Sequence, residues 1–139
     1  MPEINGVQPN LANKLVQALL VQQFWNEGKL EDPANVVHIC VASQWHRLYF
    51  DYGVVFWRLS DSAPSLDSND MDDGFGYPLV DFGAQHYLIG RRIISLNTFD
   101  DADCDAAVSL NFDSGVTVLC RSDDDVTTIE ASTVVPRGT

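Results

Sequence analysis

The segment LYFDYGVVFWRLSD (residues 48–61) recurs as LNFDSGVTVLCRSD (residues 110–123), and seven of the fourteen aligned positions are identical. Apolar residues alternate with polar-tolerant residues through the first half of each copy, which is the two-residue period of a half-buried β-strand. The apolar positions are Leu48, Phe50, Leu110 and Phe112. We expect all four of these side chains to be buried.

Each copy continues with Asp-x-Gly and a second apolar run, which predicts a β-hairpin. Gly53 and Gly115 would supply the positive φ angle of a three-residue hairpin loop with a bulge. The returning strands are predicted at residues 54–59 and 116–121.

A β-branched run precedes each hairpin, VVHICVAS at residues 36–43 and RRIISLNTF at residues 91–99. Each half of the chain is therefore predicted to form a β-meander, unit A over about 36–60 and unit B over about 87–122. A last strand is predicted at about 126–135. The shared residues favour a duplicated β-unit with pseudo-twofold symmetry over two ordinary hairpins that converged on the same turn.

The N-terminal segment NLANKLVQALLVQQFWNEG predicts one amphipathic helix over about residues 10–27. Asn10 is a favourable N-cap residue for this helix, and Gly28 is a favourable residue to end it. The apolar stripe would consist of Leu11, Leu15, Ala18 and Leu19. Strand 54–59 is apolar on both faces, so it requires a cover on both sides, and this helix is the expected cover.

The predicted fold class is therefore α+β and β-rich, in a single domain spanning 1–139. It combines the N-terminal helix with a six- to seven-stranded antiparallel sheet or partly open barrel built from the two units. A chain of 139 residues is about one domain and can bury a core without metals or disulfides. Residues 61–83 are rich in Ser, Asp, Gly and Pro and predict a long acidic loop.

The net charge of −12 is concentrated in two segments. Residues 61–81 contain six aspartates and no base, and residues 100–125 contain eight aspartates and a single base, Arg121. Aspartate favours turns and loops, so loops are expected to carry the charge. This charge disfavours binding to nucleic acid or to an anionic membrane. Its natural complement is a basic protein.

The sequence contains neither an apolar run of about 20 residues nor an N-terminal signal pattern, so we expect a cytoplasmic protein. Three cysteines at wide spacing form no disulfide framework. Cys40 and Cys120 lie in apolar strand-like runs and are expected to be small buried side chains, whereas Cys104 lies in an aspartate-rich loop.

Metal sites were sought among the clustered aspartates. The run DADCD at 101–105 matches the first half of an EF-hand loop, but Ala106 and Phe112 stand where that loop requires Gly and Glu. His38 and Cys40 have no second ligand pair at zinc spacing. We therefore expect no metal and no cofactor. Phosphate-binding glycine loops and serine-nucleophile motifs are also absent, so we expect a protein that is not an enzyme.

A small, acidic, β-rich chain without a catalytic constellation resembles the immunity proteins of bacterial toxin systems. The resemblance lies in size, charge and the pattern L-x-F-D-x-G, carried here by residues 48–53 and 110–115. It implies a non-catalytic inhibitor that binds a basic toxin domain and covers its active site. It contains no diagnostic motif, so it transfers no functional residue, and the pattern recurs in several small bacterial domains.

The candidate partner-binding residues are aspartates of the acidic loops together with two aromatic residues beside the first hairpin. They are Asp70, Asp72, Asp73, Asp101, Asp103, Asp105, Trp57 and Tyr52, with the aspartates at 123–125 as further candidates. Tryptophan and tyrosine are favoured at binding hot spots, although a core position for the tryptophans is the other interpretation.

Three alternative functions remain open from the sequence. The chain is a structural or assembly subunit if its apolar sheet face docks on a partner, and a homodimer is one form of this. It is an acidic nucleic-acid mimic if its carboxylates are spaced like phosphates on a rigid array. It is an enzyme if a pair of aspartates, or a loosely bound metal, performs the chemistry.

Overall fold

A computed structural model describes residues 1–65 and 71–133 of the chain. In this part of the chain ten β-strands form two sheets, and helix α1 (Phe82–Gln85) is a single turn. The strands are β1 (Ile4–Asn5), β2 (Val16–Asn26), β3 (Lys29–Val41), β4 (Gln44–Asp51), β5 (Val54–Ser60), β6 (Leu79–Val80), β7 (Ile93–Asp101), β8 (Cys104–Phe112), β9 (Val116–Asp123) and β10 (Val126–Thr133).

The first sheet has the strand order β1-β5-β4-β3-β2-β6, and the second sheet has the order β10-β9-β8-β7. All neighbours are antiparallel except β1, which runs parallel to β5. Long strands that are adjacent in the chain are adjacent in each sheet, which is the simplest antiparallel connection. The meanders predicted as units A and B are thus present, but they belong to two different sheets.

One hydrophobic core is shared by both sheets. It takes Leu19, Ile39, Leu48 and Trp57 from the first sheet and Val108, Leu110 and Cys120 from the second. Cys40, Cys104 and Cys120 are all buried and unpaired. Side chains from the inner faces of both sheets form this core, which is the arrangement of a two-sheet sandwich. Each sheet then has one face against the other sheet and one face turned away.

The predicted N-terminal helix is wrong, because most of that segment forms strand β2. Leu19 and Val21 face the core. Leu20 lies on the other face of the sheet, where it pairs with His38 of β3. A register shift between Val16 and Ala18 interrupts the alternation, so the apolar residues also fit a helical stripe. The segment forms a strand and not a helix because it pairs with β3, which is thirteen residues long. Leu15, which the helix would have buried, is 48% exposed.

The expected single sheet or partly open barrel is likewise corrected to two sheets without barrel closure. β2 adds a fourth long strand to unit A and completes the first sheet. The connection over residues 61–92 then carries the chain to β7, where the second sheet begins. The strand predicted at about 126–135 is present as β10, within the described range.

The two hairpins are confirmed as strands, and Gly53 and Gly115 have φ angles of 75° and 88° as expected. Leu48, Leu110 and Phe112 are buried, whereas Phe50 is only partly buried against the core. The duplicated origin of the two units stays a prediction.

The loops of the two hairpins differ in length despite the shared Asp-x-Gly. The second hairpin has the expected three-residue loop, in which Gly115 N donates to Phe112 O at 3.1 Å. The first has a two-residue loop, Tyr52–Gly53, between the paired residues Asp51 and Val54. Because side chains alternate along a strand, this one-residue difference reverses the faces of β5 relative to β9.

The register shows this reversal directly. Leu48 pairs with Trp57, whereas the equivalent Leu110 pairs with Val118 and not with Leu119. Trp57 is therefore turned into the core, and Phe56 and Arg58 are turned to the outside of the first sheet.

Candidate functional site

Hairpin turns from the two sheets meet at one end of the molecule. Tyr52 N, in the β4–β5 turn, donates a hydrogen bond of 3.1 Å to Asp125 Oδ1 in the β9–β10 turn. Alternate turns of an antiparallel meander lie at the same end. The β2–β3 and β7–β8 turns therefore lie at this end as well.

A segment from the connection joins them there. Gly28 N, in the β2–β3 turn, donates to Gly74 O at 3.1 Å, which places Asp72 and Asp73 beside that turn. We call the resulting surface the acidic end. Its ten carboxylates belong to Glu27, Asp51, Asp72, Asp73, Asp101, Asp103, Asp105, Asp123, Asp124 and Asp125, all of them exposed.

Some of these carboxylates shape the turns that carry them. Asp101 Oδ1 accepts a hydrogen bond from Asp103 N at 2.8 Å, and Asp105 Oδ2 accepts one from Asp124 N at 3.2 Å. The bond from Asp103 N is the main reason that the pKa of Asp101 lies below its usual range, and contact with Cys104 and Arg121 adds to it. Asp103, Asp123 and Asp124 have no such side-chain role in the described part of the chain.

Few bases balance this charge. Arg121 lies 3.8 Å from Asp101, and Lys29 follows the β2–β3 turn. An exposed ion pair of that length contributes little. The acidic end is therefore a strongly negative surface whose repulsion is not relieved within the described residues.

Tyr52 lies on this surface beside Asp105 and the β9–β10 turn. It is 83% exposed and, with Gly53, Asp105, Asp124 and Asp125, lines a shallow depression of about 460 Å³. Its backbone is held by the bond to Asp125, which places the residue beside these aspartates.

The predicted site residues are thus divided by the structure. Asp72, Asp73, Asp101, Asp103, Asp105 and Tyr52 are brought together at the acidic end, whereas Asp70 lies outside the described residues. Trp57 is not part of the surface, because it is 2% exposed in the core. Glu27 and Asp51 were missed, although Asp51 lies two residues before the predicted turn glycine Gly53 and Glu27 directly precedes Gly28.

Within residues 1–65 and 71–133, no group of three or more His, Cys, Asp or Glu side chains is arranged to hold a metal ion. No helix in these two ranges has the length and apolarity needed to cross a membrane. Comparison of the chain with protein families, curated proteins and solved structures gives no significant match.

We expect that Gly74→Ala will destabilise the placement of Asp72 and Asp73. Gly74 has a φ angle of 76°, and an added Cβ would meet Gly28, 2.8 Å from its Cα and closer still to its N. The strain should cost about 1–3 kcal/mol and speed hydrogen exchange at Gly28 N–H. Gly115→Ala is the control, because it has the same backbone strain with open space around it. Equal effects of the two substitutions would contradict the close contact at Gly74.

Asp32 links the two sheets beside the acidic end and gives a pH-dependent prediction. Its Oδ1 accepts a hydrogen bond of 2.9 Å from Thr127 N. Burial raises the pKa of Asp32 above its usual value of 3.8, although bonds from Thr127 and Ala34 oppose this. A raised folded-state pKa means that this group's stabilisation is present at low pH and is lost as the pH rises through that pKa.

Asp32→Asn keeps an acceptor for Thr127 N but cannot ionise. We therefore expect the urea midpoint of the variant to exceed that of the wild type at pH 7, with a smaller difference at pH 4. Asp61→Asn, at an exposed position, serves as the control. A difference that is larger at pH 4 would contradict the burial effect.

Proposed function

We propose that this protein is a non-catalytic binding protein that holds a basic protein partner at its acidic end and covers the surface that it binds. In its specific form the proposal is an immunity protein that occludes the cationic cleft of a cognate toxin. The observation that carries it is that five separate segments place ten exposed carboxylates at one end of the two sheets, where the described residues supply two bases, Lys29 and Arg121.

Charge of this kind does not stabilise the chain that carries it, because like charges repel. It does accelerate encounters with a cationic surface, by roughly 10–10³-fold at low salt. The tight turns favour this role, because they hold the carboxylates in place before binding. Less conformational entropy is then lost when the complex forms.

Affinity requires a further contact, since exposed ion pairs contribute only about 0–1 kcal/mol each. Tyr52 supplies the anchor in this proposal. It is the most exposed aromatic side chain among the described residues that lie beside these carboxylates, and tyrosine offers a large contact area with few rotatable bonds. Trp57, buried in the core, has no part in it.

The same rigid display supports a second candidate, an acidic mimic of nucleic acid. Carboxylates fixed on two-residue turns such as Asp124–Asp125 fit this function better than carboxylates on a long loop. Both candidates have a basic partner. They differ in the surface that is covered, because a mimic competes with DNA for its partner and a toxin inhibitor does not need to.

Partner capture from the native host, with matched variants as bait, tests the proposal. The test variant carries Asp103→Asn, Asp123→Asn and Asp124→Asn, whose side chains do not shape the turns. The control variant carries Asp61→Asn, Asp113→Asn and Glu130→Gln, which change the net charge equally at exposed positions elsewhere. We expect the wild type and the control to retain a basic protein that the test variant releases. An acidic partner, or equal retention by all three, would overturn the proposal.

A further inference from the structure

The outer face of the first sheet is a second surface with a distinct composition. Leu48 and Trp57 face the core, so the alternate residues of β4 and β5 are turned away from it. They include Trp45, Arg47, Tyr49, Phe56 and Arg58, which are partly exposed, and the exposed Asp51 at the end of β4. We call this surface the outer face.

The outer face has the residue types of a protein-binding surface. Tryptophan, tyrosine, phenylalanine and arginine are enriched at interfaces, and acidic side chains are depleted there. Acids outnumber bases 20 to 8 in this chain. Yet no acid occurs in the four strand segments that form the middle of this sheet, residues 18–22, 36–40, 45–49 and 56–60.

Two positive charges lie side by side on this face. Arg47 and Arg58 are direct cross-strand partners, and His38 lies opposite Arg47 on the other side. Like charges directly opposite each other destabilise a sheet. His38 does not add a third charge at neutral pH, because burial and then the charge of Arg47 lower its pKa to about 4.

Arg58 is held in place by neutral groups. Its guanidinium donates to Asn5 O at 3.1 Å and to Asn5 Oδ1 at 2.6 Å, and it lies 5.5 Å from the centre of the Phe56 ring. Phe56 in turn stacks on Tyr49, with ring centres 4.9 Å apart. These contacts orient Arg58 and leave its charge without a carboxylate partner among the described residues.

Arg47 has fewer hydrogen-bond partners than Arg58 among the described residues. Its Nε is enclosed and has no hydrogen-bond partner among the described residues. An enclosed donor without an acceptor is unfavourable, and more so on a charged group. The enclosed Nε is out of reach of a ligand, but the like-charge pair of Arg47 and Arg58 remains, and a bound carboxylate would relieve it.

We propose that the outer face binds an acidic segment of a second protein, whose carboxylates pair with Arg47 and Arg58 while its apolar side chains rest on Trp45 and Tyr49. This surface borders the acidic end at Asp51, but its centre carries the two arginines, so it takes a partner of the opposite charge. A symmetric contact with another copy would set arginines against arginines. Nucleic acid is disfavoured because two arginines stand in a chain of net charge −12.

The probe is a fluorescein-labelled peptide of alternating Glu and Leu with a central Phe, and its control has Gln in place of Glu. Fluorescence anisotropy should show that the Glu peptide binds the full chain at least tenfold more tightly than the Gln peptide. Arg47→Gln should weaken binding by about tenfold, the effect of losing charge-assisted hydrogen bonds. Arg91→Gln, which removes the same charge elsewhere, should not.

Other outcomes overturn the proposal. They are equal binding of the two peptides up to 1 mM, indifference to Arg47→Gln, or binding of an oligothymidine but not the peptide. Self-association that Arg47→Gln abolishes would identify a second copy as the occupant. Tighter peptide binding after Asp67→Asn with Asp70→Asn would identify carboxylates of the chain itself.

The melting temperature separates binding from a structural role of Arg47. Because the like-charge pair is unfavourable, Arg47→Gln should leave the melting temperature unchanged or raise it by about 2–4 °C. A clear fall would show that Arg47 stabilises the fold, and the proposal would then fail.

Discussion

Replacing Trp57 with alanine will lower the free energy of unfolding by about 3–5 kcal/mol. Trp57 is 2% exposed, pairs with Leu48 and belongs to the core that both sheets share. Its removal leaves a cavity lined by residues of both sheets. Because small domains are stable by only about 5–15 kcal/mol, the variant should be near the limit of folding in a urea titration.

Tyr52→Ala is the matched control, since it removes an aromatic side chain that is 83% exposed. Its effect on the free energy of unfolding should stay within about 0.5 kcal/mol. Trp57→Phe should cost less than Trp57→Ala, because Trp57 Nε1 is buried without a hydrogen-bond partner. Equal costs for Trp57→Ala and Tyr52→Ala would contradict the position of Trp57 in the core.

The different positions of these two aromatic residues show how far sequence reasoning reaches. The alternation around Leu48 and Phe50 was sufficient to predict both strands of the first hairpin. The face of Trp57 was not predictable, because it depends on the length of the turn. A three-residue loop over 51–53, as in the second hairpin, would pair Leu48 with Phe56 and turn Trp57 outward, whereas the two-residue loop turns it inward.

The two-residue loop makes a contact that exists only in the folded chain. Tyr52 has a φ angle of 49°, which is unusual for a residue other than glycine, and its N–H is held by Asp125. The sequence does not show that residues 52 and 125 will meet. β2 illustrates the same limit, since its residues fit either a helix or a strand until β3 supplies a partner.

The sequence predicted only some residues of the acidic end, because the others become neighbours only in the folded chain. The aspartates of 101–105 and 123–125 were recognised because they cluster in the sequence. Glu27 and Asp51 are isolated there, and they join the surface only because the four turns lie at one end. The outer face was not predicted, since Arg47 and Arg58 become neighbours only through the register of β4 and β5.

Asp103→Asn, Asp123→Asn and Asp124→Asn together should slow association with the basic partner by about 10–10²-fold at low salt. Long-range attraction acts before contact, so its loss slows the approach of the partner. Dissociation should change less, because the short-range contact at Tyr52 remains. The dependence of the association rate on salt should also become weaker.

The charge-matched variant with Asp61→Asn, Asp113→Asn and Glu130→Gln separates local field from net charge. Its association rate should remain within a few-fold of the wild-type rate. If both triple variants slow association equally, net charge alone governs the encounter and the arrangement at the acidic end has no special role. Tyr52→Ala should instead speed dissociation and leave the association rate nearly unchanged.

Stopped-flow association of the captured partner with the wild type and with the Asp103→Asn, Asp123→Asn, Asp124→Asn variant, over a series of salt concentrations, measures the role of the acidic end directly. We predict a wild-type rate that falls steeply with salt and a variant rate that is lower at low salt, with the two converging at high salt. Rates that coincide at every salt concentration would contradict binding at the acidic end and leave its carboxylates as solubilising surface.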